Sequence, residues 1–269
     1  MKTLGKLSAA IIAGLYDNNK PIFTINDVLK IRTTTRSLAT KLLYDMAKRK
    51  LIFRLKNGKY AIIPQELGSM ETFAVNNYVI AREVANSPDY YIGFYSAMAY
   101  WGMTTHPIVN IFVATDRRQL PPKTFKNKIS FVYLKKSNIW GIKEEWVTKT
   151  YKVRISDIEK TVVDALAHPK YCGGISEIAK SIWIVKDKID FTRLLQYVTK
   201  SGKNVIAKRL GYILEALEIG NNIIPELNKY RKVRYDWLDS TVKQKKLYKN
   251  DWKLLDNIGR EQITKIISA

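Results

Sequence analysis

The chain has one cysteine, Cys172, and two histidines, His106 and His168, among 269 residues. A single thiol excludes an intrachain disulfide framework and fits a reducing compartment. His168 lies four residues before Cys172, but one Cys and one His beside Gly173-Gly174 supply neither metal-ligand spacing nor a triad. Cys172 is expected simply to pack. No uninterrupted apolar run reaches the roughly 20 residues needed to span a bilayer. Residues 1–15 imitate a signal peptide, with cations followed by apolar residues. However, Lys6 and Ser8 interrupt the run, no Ala-x-Ala site follows, and Leu7, Ile11 and Leu15 recur at helical spacing. The segment reads as a first helix, and the chain as a soluble cytoplasmic protein.

Acidic residues are also scarce, 24 Asp and Glu against 46 Lys and Arg, for a net charge of +22. Such an excess repels itself unless a polyanion is near, so DNA, RNA or an acidic protein is the expected partner. The charge is concentrated at one end. Residues 1–65 carry thirteen Lys and Arg against Asp17, Asp27 and Asp45, a net +10, which favours nucleic acid over a diffusely basic surface. With 46% hydrophobic and 11% aromatic residues, the chain can bury a core without metals or disulfides. Its length suits a small domain followed by a larger one.

The N-terminal part reads as three short helices and a hairpin. Asn18-Asn19-Lys20-Pro21 ends the first helix. Thr24-Ile25-Asn26-Asp27 is the aspartate form of a capping box and opens a second helix over about Ile25 to Ile31. The polar turn Arg32-Thr33-Thr34-Thr35 supplies the next cap, and a third helix runs from about Thr35 to Lys50. At about 100° per residue, Leu38, Ala39, Leu42, Leu43 and Met46 share one side. Ser37, Thr40, Lys41, Tyr44 and Lys48 face the other way, with Arg36 on the flank. Leu51, Phe53 and Leu55 then alternate with Ile52, Arg54 and Lys56, and Asn57-Gly58 turns the chain into Lys59-Tyr60-Ala61-Ile62. A type I′ turn would pair Lys56 with Lys59, Leu55 with Tyr60 and Phe53 with Ile62, leaving one face apolar and Arg54, Lys56 and Lys59 on the other.

Three helices and a basic hairpin in this order outline a winged helix-turn-helix over residues 1–65. In that reading Arg36, Ser37, Thr40 and Tyr44 contact base edges, while Lys41, Lys48, Arg54, Lys56 and Lys59 hold phosphates. A solvated helix face and a lysine-protected sheet edge are the bland alternatives.

Residues 66–269 read as a larger mixed α+β domain, giving an α+β chain overall. Pro64 to Ser69 is a linker, and a helix is expected over about Met70 to Ala85. The aromatic run Tyr90 to Gly102 is expected to be a buried core element. Strands are expected at Val109 to Ala114, Ile129 to Leu134 and Trp146 to Ile155. Ser156-Asp157-Ile158-Glu159 reads as a capping box for a helix to about Ala167. Further helices follow near Ile175 to Val185, Phe191 to Thr199 and Val205 to Leu217, then a basic tail after Tyr230.

Several segments together resemble one family. Tyr91 to Gly102, Val113 to Arg118, Ile155 to Thr161 with Asp164-Ala165-Leu166, Pro169 to Gly174, and Lys208-Arg209-Leu210-Gly211-Tyr212 are similar, in the same order, to the AbiEi-type antitoxins of type IV toxin-antitoxin systems. The resemblance covers nearly the whole chain, and Tyr171-Cys172-Gly173-Gly174 is its distinctive loop. It implies an N-terminal winged helix that represses its own operon at inverted repeats in double-stranded DNA, as a homodimer or a cooperative assembly. It also implies a C-terminal domain needed for antitoxicity against a nucleotidyltransferase-like toxin. A solitary regulator with the same fold remains open.

Enzyme signatures are sparse, and neither catalysis nor a cofactor is expected. There is no Walker A loop and no Gly-x-Gly-x-x-Gly fingerprint. Gly68-Ser69 is not followed by the acidic pair with which a nucleotidyltransferase holds metal, so the chain does not look like the toxin. Asp157, Glu159 and Asp164 share one expected helix, but Asp157 and Glu159 suit its positive N-terminal end. A nucleic-acid-processing enzyme and an RNA-binding module are the alternatives from other classes.

Overall fold

A computed structural model describes residues 5–63, 76–85, 87–232, 234–242 and 248–266. The expected linker at Pro64 to Ser69 and the first part of the expected helix from Met70 lie outside the described residues. The described chain is mixed α+β and forms two compact units. One is drawn from residues 1–86, 121–126 and 146–152, the other from 87–120, 127–145 and 153–269. The first unit therefore takes in more than the expected residues 1–65.

In the first unit the order is α1 (Lys6–Asp17), β1 (Ile22–Thr24), α2 (Ile25–Ile31), α3 (Arg36–Lys48), β2 (Ile52–Lys56), β3 (Lys59–Ile62) and α4 (Asn77–Val84). The three strands form one antiparallel sheet in the order β1-β3-β2. Local chemistry sets the helix starts. The Asp27 carboxylate accepts hydrogen bonds from the Thr24 backbone amide at 2.9 Å and its hydroxyl at 2.8 Å, and Thr35 Oγ1 accepts from the Leu38 amide at 3.3 Å. Each cap satisfies donors that the first helical turn leaves unpaired. Ile11, Leu15, Val28, Ala39, Leu43 and Met46 then bury against Phe23, Ile52 and Ile62 of the sheet. No local pattern in the sequence marks strand β1. It is three residues long, and its anchor, Phe23 stacked at 5.8 Å on Tyr60, comes from a distant part of the sequence.

The hairpin departs from its expected register. Lys56 does face Lys59, but Phe53 lies opposite Ala61 and Arg54 opposite Tyr60, with a bulge between Arg54 and Lys56. Gly58 has φ +74° while Asn57 is not among the positive-φ residues. A type I′ turn requires positive φ at both central positions, so the turn is of another kind, and the extra residue Leu55 is absorbed as the bulge. Nor is one face left to charge. Ile52 joins the helical core, whereas Phe53 packs edge-on to Phe125 at 5.7 Å. Both faces of β2 are covered, which simple alternation does not anticipate.

After α4 the chain forms β4 (Tyr90–Ile92), α5 (Phe94–Tyr100), β5 (Ile111–Thr115), β6 (Ile129–Tyr133), β7 (Ile142–Trp146) and β8 (Lys152–Ser156). These strands form a five-stranded mixed sheet in the order β6-β5-β4-β8-β7. The stretch expected as one strand from Trp146 to Ile155 is instead two strands around a turn, where Thr148 Oγ1 accepts from the Thr150 and Tyr151 amides. Helices α6 (Ile158–Ala167), α7 (Ile175–Ile184), α8 (Phe191–Ser201), α9 (Asn204–Leu217) and α10 (Ile224–Leu227) follow. Next come β9 (Asp236–Trp237), β10 (Tyr248–Lys249), β11 (Leu254–Asp256) and α11 (Arg260–Thr264). The last three strands form a separate small sheet in the order β10-β11-β9. The aromatic run is buried as expected, with Tyr91, Ile92, Phe94, Ala97 and Met98 inside.

Helix α9 is buried along most of its length, and its polar residues tie the small sheet to the core. Lys208 Nζ donates to Asp236 Oδ2 at 2.8 Å, Arg209 Nη2 to the Trp237 carbonyl at 2.9 Å while its Nη1 reaches the Leu166 carbonyl of the core, and Tyr212 Oη to Asp256 Oδ2 at 2.5 Å. A Cβ at Gly211 would fall 2.0 Å from the Trp252 ring, closer than packed atoms can approach. The Lys208 to Tyr212 motif thus has a structural job in this chain. In the Tyr171 to Gly174 loop, Gly173 and Gly174 both have positive φ, which favours residues without a Cβ. Cys172 is buried, and burial pushes its thiol up, well above the usual range.

Candidate nucleic-acid interface

Helix α3 divides its residues cleanly between core and surface. Ala39, Leu43 and Met46 are buried, and Arg36, Ser37, Thr40, Lys41, Tyr44 and Lys48 are exposed. Tyr44 is 68% exposed. Leu38, expected on the apolar face, is 59% exposed. At about 100° per residue it sits a quarter turn from Ala39, too far round the cylinder to reach the core. Its apolar side chain is a group of the kind that can contact a thymine methyl in the major groove.

The polar groups on this face are only lightly committed. Thr40 Oγ1 donates to the Arg36 carbonyl at 2.8 Å, and Arg36 Nη1 donates to Asn26 Oδ1 of α2 at 3.3 Å. Asp45 is an exposed acid between the cations Lys41 and Lys48.

The three hairpin cations differ from one another. Arg54 is exposed, and its Nη2 donates to Asn57 Oδ1 at 2.7 Å across the turn. Lys59 is half-buried, and its Nζ lies 2.5 Å from Glu83 Oε2 of α4. Arg82 reaches the other oxygen of Glu83 at 2.7 Å and also donates to the Lys152 carbonyl. Burial raises the carboxyl of Glu83, but hydrogen bonds from Lys59 and Arg82 outweigh it and hold that group below the usual glutamate range. Lys56 is pulled down, first by burial and then by the charge on Lys59, with Glu83 partly offsetting both.

The sequence therefore grouped Arg54, Lys56 and Lys59 as equals, whereas the structure leaves Arg54 as the outward cation and ties Lys59 to an internal ion pair. Glu83 and Arg82 went unread because nothing local marks a carboxylate of α4 as the partner of a hairpin lysine.

A depressed carboxyl contributes stability above its unfolded value of about 4.5 and loses it as pH falls through the folded value. Glu83→Gln should be less stable than the native chain by a constant margin at neutral pH. That margin should shrink as pH drops below about 4.5, as read from urea midpoints across the acid range. A margin unchanged with pH would show that Glu83 is not held by this cluster.

Asp157, Glu159 and Asp164 are each engaged by different partners. Asp157 caps α6 by accepting from the Lys160 amide at 2.8 Å and accepts from Tyr197 Oη at 3.0 Å. Glu159, expected to complete a capping box, instead accepts from Arg193 and the Asp190 amide, each at 2.9 Å. Asp164 is paired with Lys160 and Tyr91. Among the described residues no three His, Cys, Asp or Glu side chains are grouped as metal ligands, and no helix is long and apolar enough to cross a membrane.

No family model and no curated protein matches the chain. Among solved structures it is similar to the crystal structure of the RV2827C protein from Mycobacterium tuberculosis. The TM-score is 0.71 at 12% identity, covering 99% of this chain and 96% of that one. At that identity the likeness concerns the fold.

Proposed function

We propose that the chain is a cytoplasmic DNA-binding autorepressor and antitoxin of a type IV toxin-antitoxin system, reading inverted repeats through a winged helix-turn-helix. The observation that carries the DNA-binding half is α3, a capped helix whose outer face collects Ser37, Thr40, Lys41, Tyr44 and Lys48. The order α1-β1-α2-α3-β2-β3, with an exposed arginine on the hairpin, supports the winged-helix reading. Hydrogen-bonding groups near the N-terminus of α3 suit base edges, and the later cations suit phosphates. Lys56, which is half-buried, and Lys59, which an ion pair already engages, take a lesser part.

The antitoxin half rests on the resemblance of the aromatic run, the Tyr171 to Gly174 loop and the Lys208 to Tyr212 motif to AbiEi-type antitoxins. Its test is growth rescue. The full chain should restore growth to cells expressing a nucleotidyltransferase-like toxin encoded beside it, and the α3 variant Ser37→Ala/Thr40→Ala/Tyr44→Ala should rescue while losing operator repression. Repression without rescue would leave a solitary regulator.

A further inference from the structure

The small sheet β10-β11-β9 separates its charges by face. Asp236 and Asp256 of the sheet, and Asp239 just after β9, are turned toward the helices of the same unit, where Lys208 holds Asp236, the Ile175 amide donates to Asp239, and Tyr212 donates to Asp256. On the other face the register sets Trp237, Leu255 and Lys249 in one row. Tyr235, just before β9, lies beside that row, in contact with Lys249. Lys249 and Lys253 place their Nζ atoms 5.5 and 5.3 Å from its ring centroid. Trp237 is 45% exposed and Tyr235 38%, while Arg234 and Lys249 are exposed. Among the described residues of the sheet and its turns the exposed acid is Asp251, between β10 and β11.

We infer that this face binds single-stranded nucleic acid. Trp237, within β9 and 45% exposed, gives an unpaired base a ring to stack on, and Tyr235, just before the strand, holds Lys249 and Lys253 beside it. Base stacking on aromatic side chains of an open sheet is tolerant of sequence, and flanking cations hold the backbone. Duplex DNA does not fit this face, because its bases are already stacked on one another. An acidic protein surface would use the lysines but has no need of exposed rings beside them. The site is independent of α3.

The test measures anisotropy of a labelled uridine oligomer and a labelled thymidine oligomer with the full chain, in the presence of excess duplex. Binding of either should survive the duplex, and a preference for the uridine oligomer would identify RNA as the natural ligand. Trp237→Ala should weaken binding about tenfold, and Trp237→Phe should retain most of it. Lys249→Gln/Lys253→Gln should make the salt dependence shallower by about 1.4 in log–log slope. A 4-thiouridine oligomer should photocrosslink the native chain within residues 234–256. Absence of oligomer binding would overturn the inference. So would full displacement by duplex, an unaffected Trp237→Ala, crosslinks confined to α3 and the β2–β3 hairpin, or Trp237-dependent uptake by anionic vesicles without oligomer binding.

Discussion

Lys160→Met should cost the chain about 3–5 kcal/mol of stability. Lys160 is 2% exposed, and its Nζ lies 2.5 Å from Asp164 Oδ1 one helical turn on. It also lies 4.3 Å from the centroid of the Trp140 ring. The other Asp164 oxygen accepts from the buried Tyr91 hydroxyl at 2.6 Å. Burial, and then the charge on Asp164, push that phenol well above its usual range, so it remains a donor at neutral pH. Removing the lysine leaves one hydrogen bond and no counter-charge for a carboxylate buried in the core. Whole domains are stable by about 5–15 kcal/mol, so the loss is a large share of the total. Lys160→Met/Asp164→Asn removes both charges and should recover a substantial part, because the penalty lies in the unpaired charge more than in the missing pair. Urea midpoints of the native, single and double forms measure this. A single variant within 1 kcal/mol of native would contradict the dependence of Asp164 on Lys160.

Local rules made some of the fold legible and tertiary packing hid the rest. The bounds of α2 and α3 follow from Thr24, Asp27 and Thr35, whose caps act within one turn of the backbone. The place of the hairpin turn follows from Asn57-Gly58. Its register does not, because Phe53 is claimed by Phe125, which lies 72 positions further along the chain. Residues 147–151 keep strand-forming residues, Val147, Thr148, Thr150 and Tyr151, and so read as a continuous strand, while the Thr148 hydroxyl makes them a turn. The Lys208 to Tyr212 motif was visible as a resemblance. Its work was not, since Asp236, Trp252 and Asp256 meet it only through the fold. In the candidate interface the exposed polar face of α3 was legible from helical periodicity. Leu38 was misplaced by the same periodicity at its margin, and the tie between Lys59 and Glu83 lay beyond any local pattern.

The second large effect concerns Lys41, Lys48 and Arg54, the exposed members of the set proposed to hold phosphates. Each phosphate contact contributes about 0.9 to the slope of log affinity against log salt on duplex DNA. Replacing all three with Ala should make that slope shallower by about 2.7, for any duplex sequence. Between 50 and 200 mM salt the native chain should therefore lose about fortyfold more affinity than the variant. Lys59→Ala should behave differently. It leaves Glu83 with Arg82 alone, so its main effect should be on stability.

The salt titration of the native chain and the Lys41→Ala/Lys48→Ala/Arg54→Ala variant on one duplex carrying its inverted repeat is the most direct test that α3 and the hairpin grip DNA. The account predicts a steep native slope and a variant slope shallower by about 2.7. Equal slopes, or a native chain whose duplex affinity does not respond to salt, would contradict it.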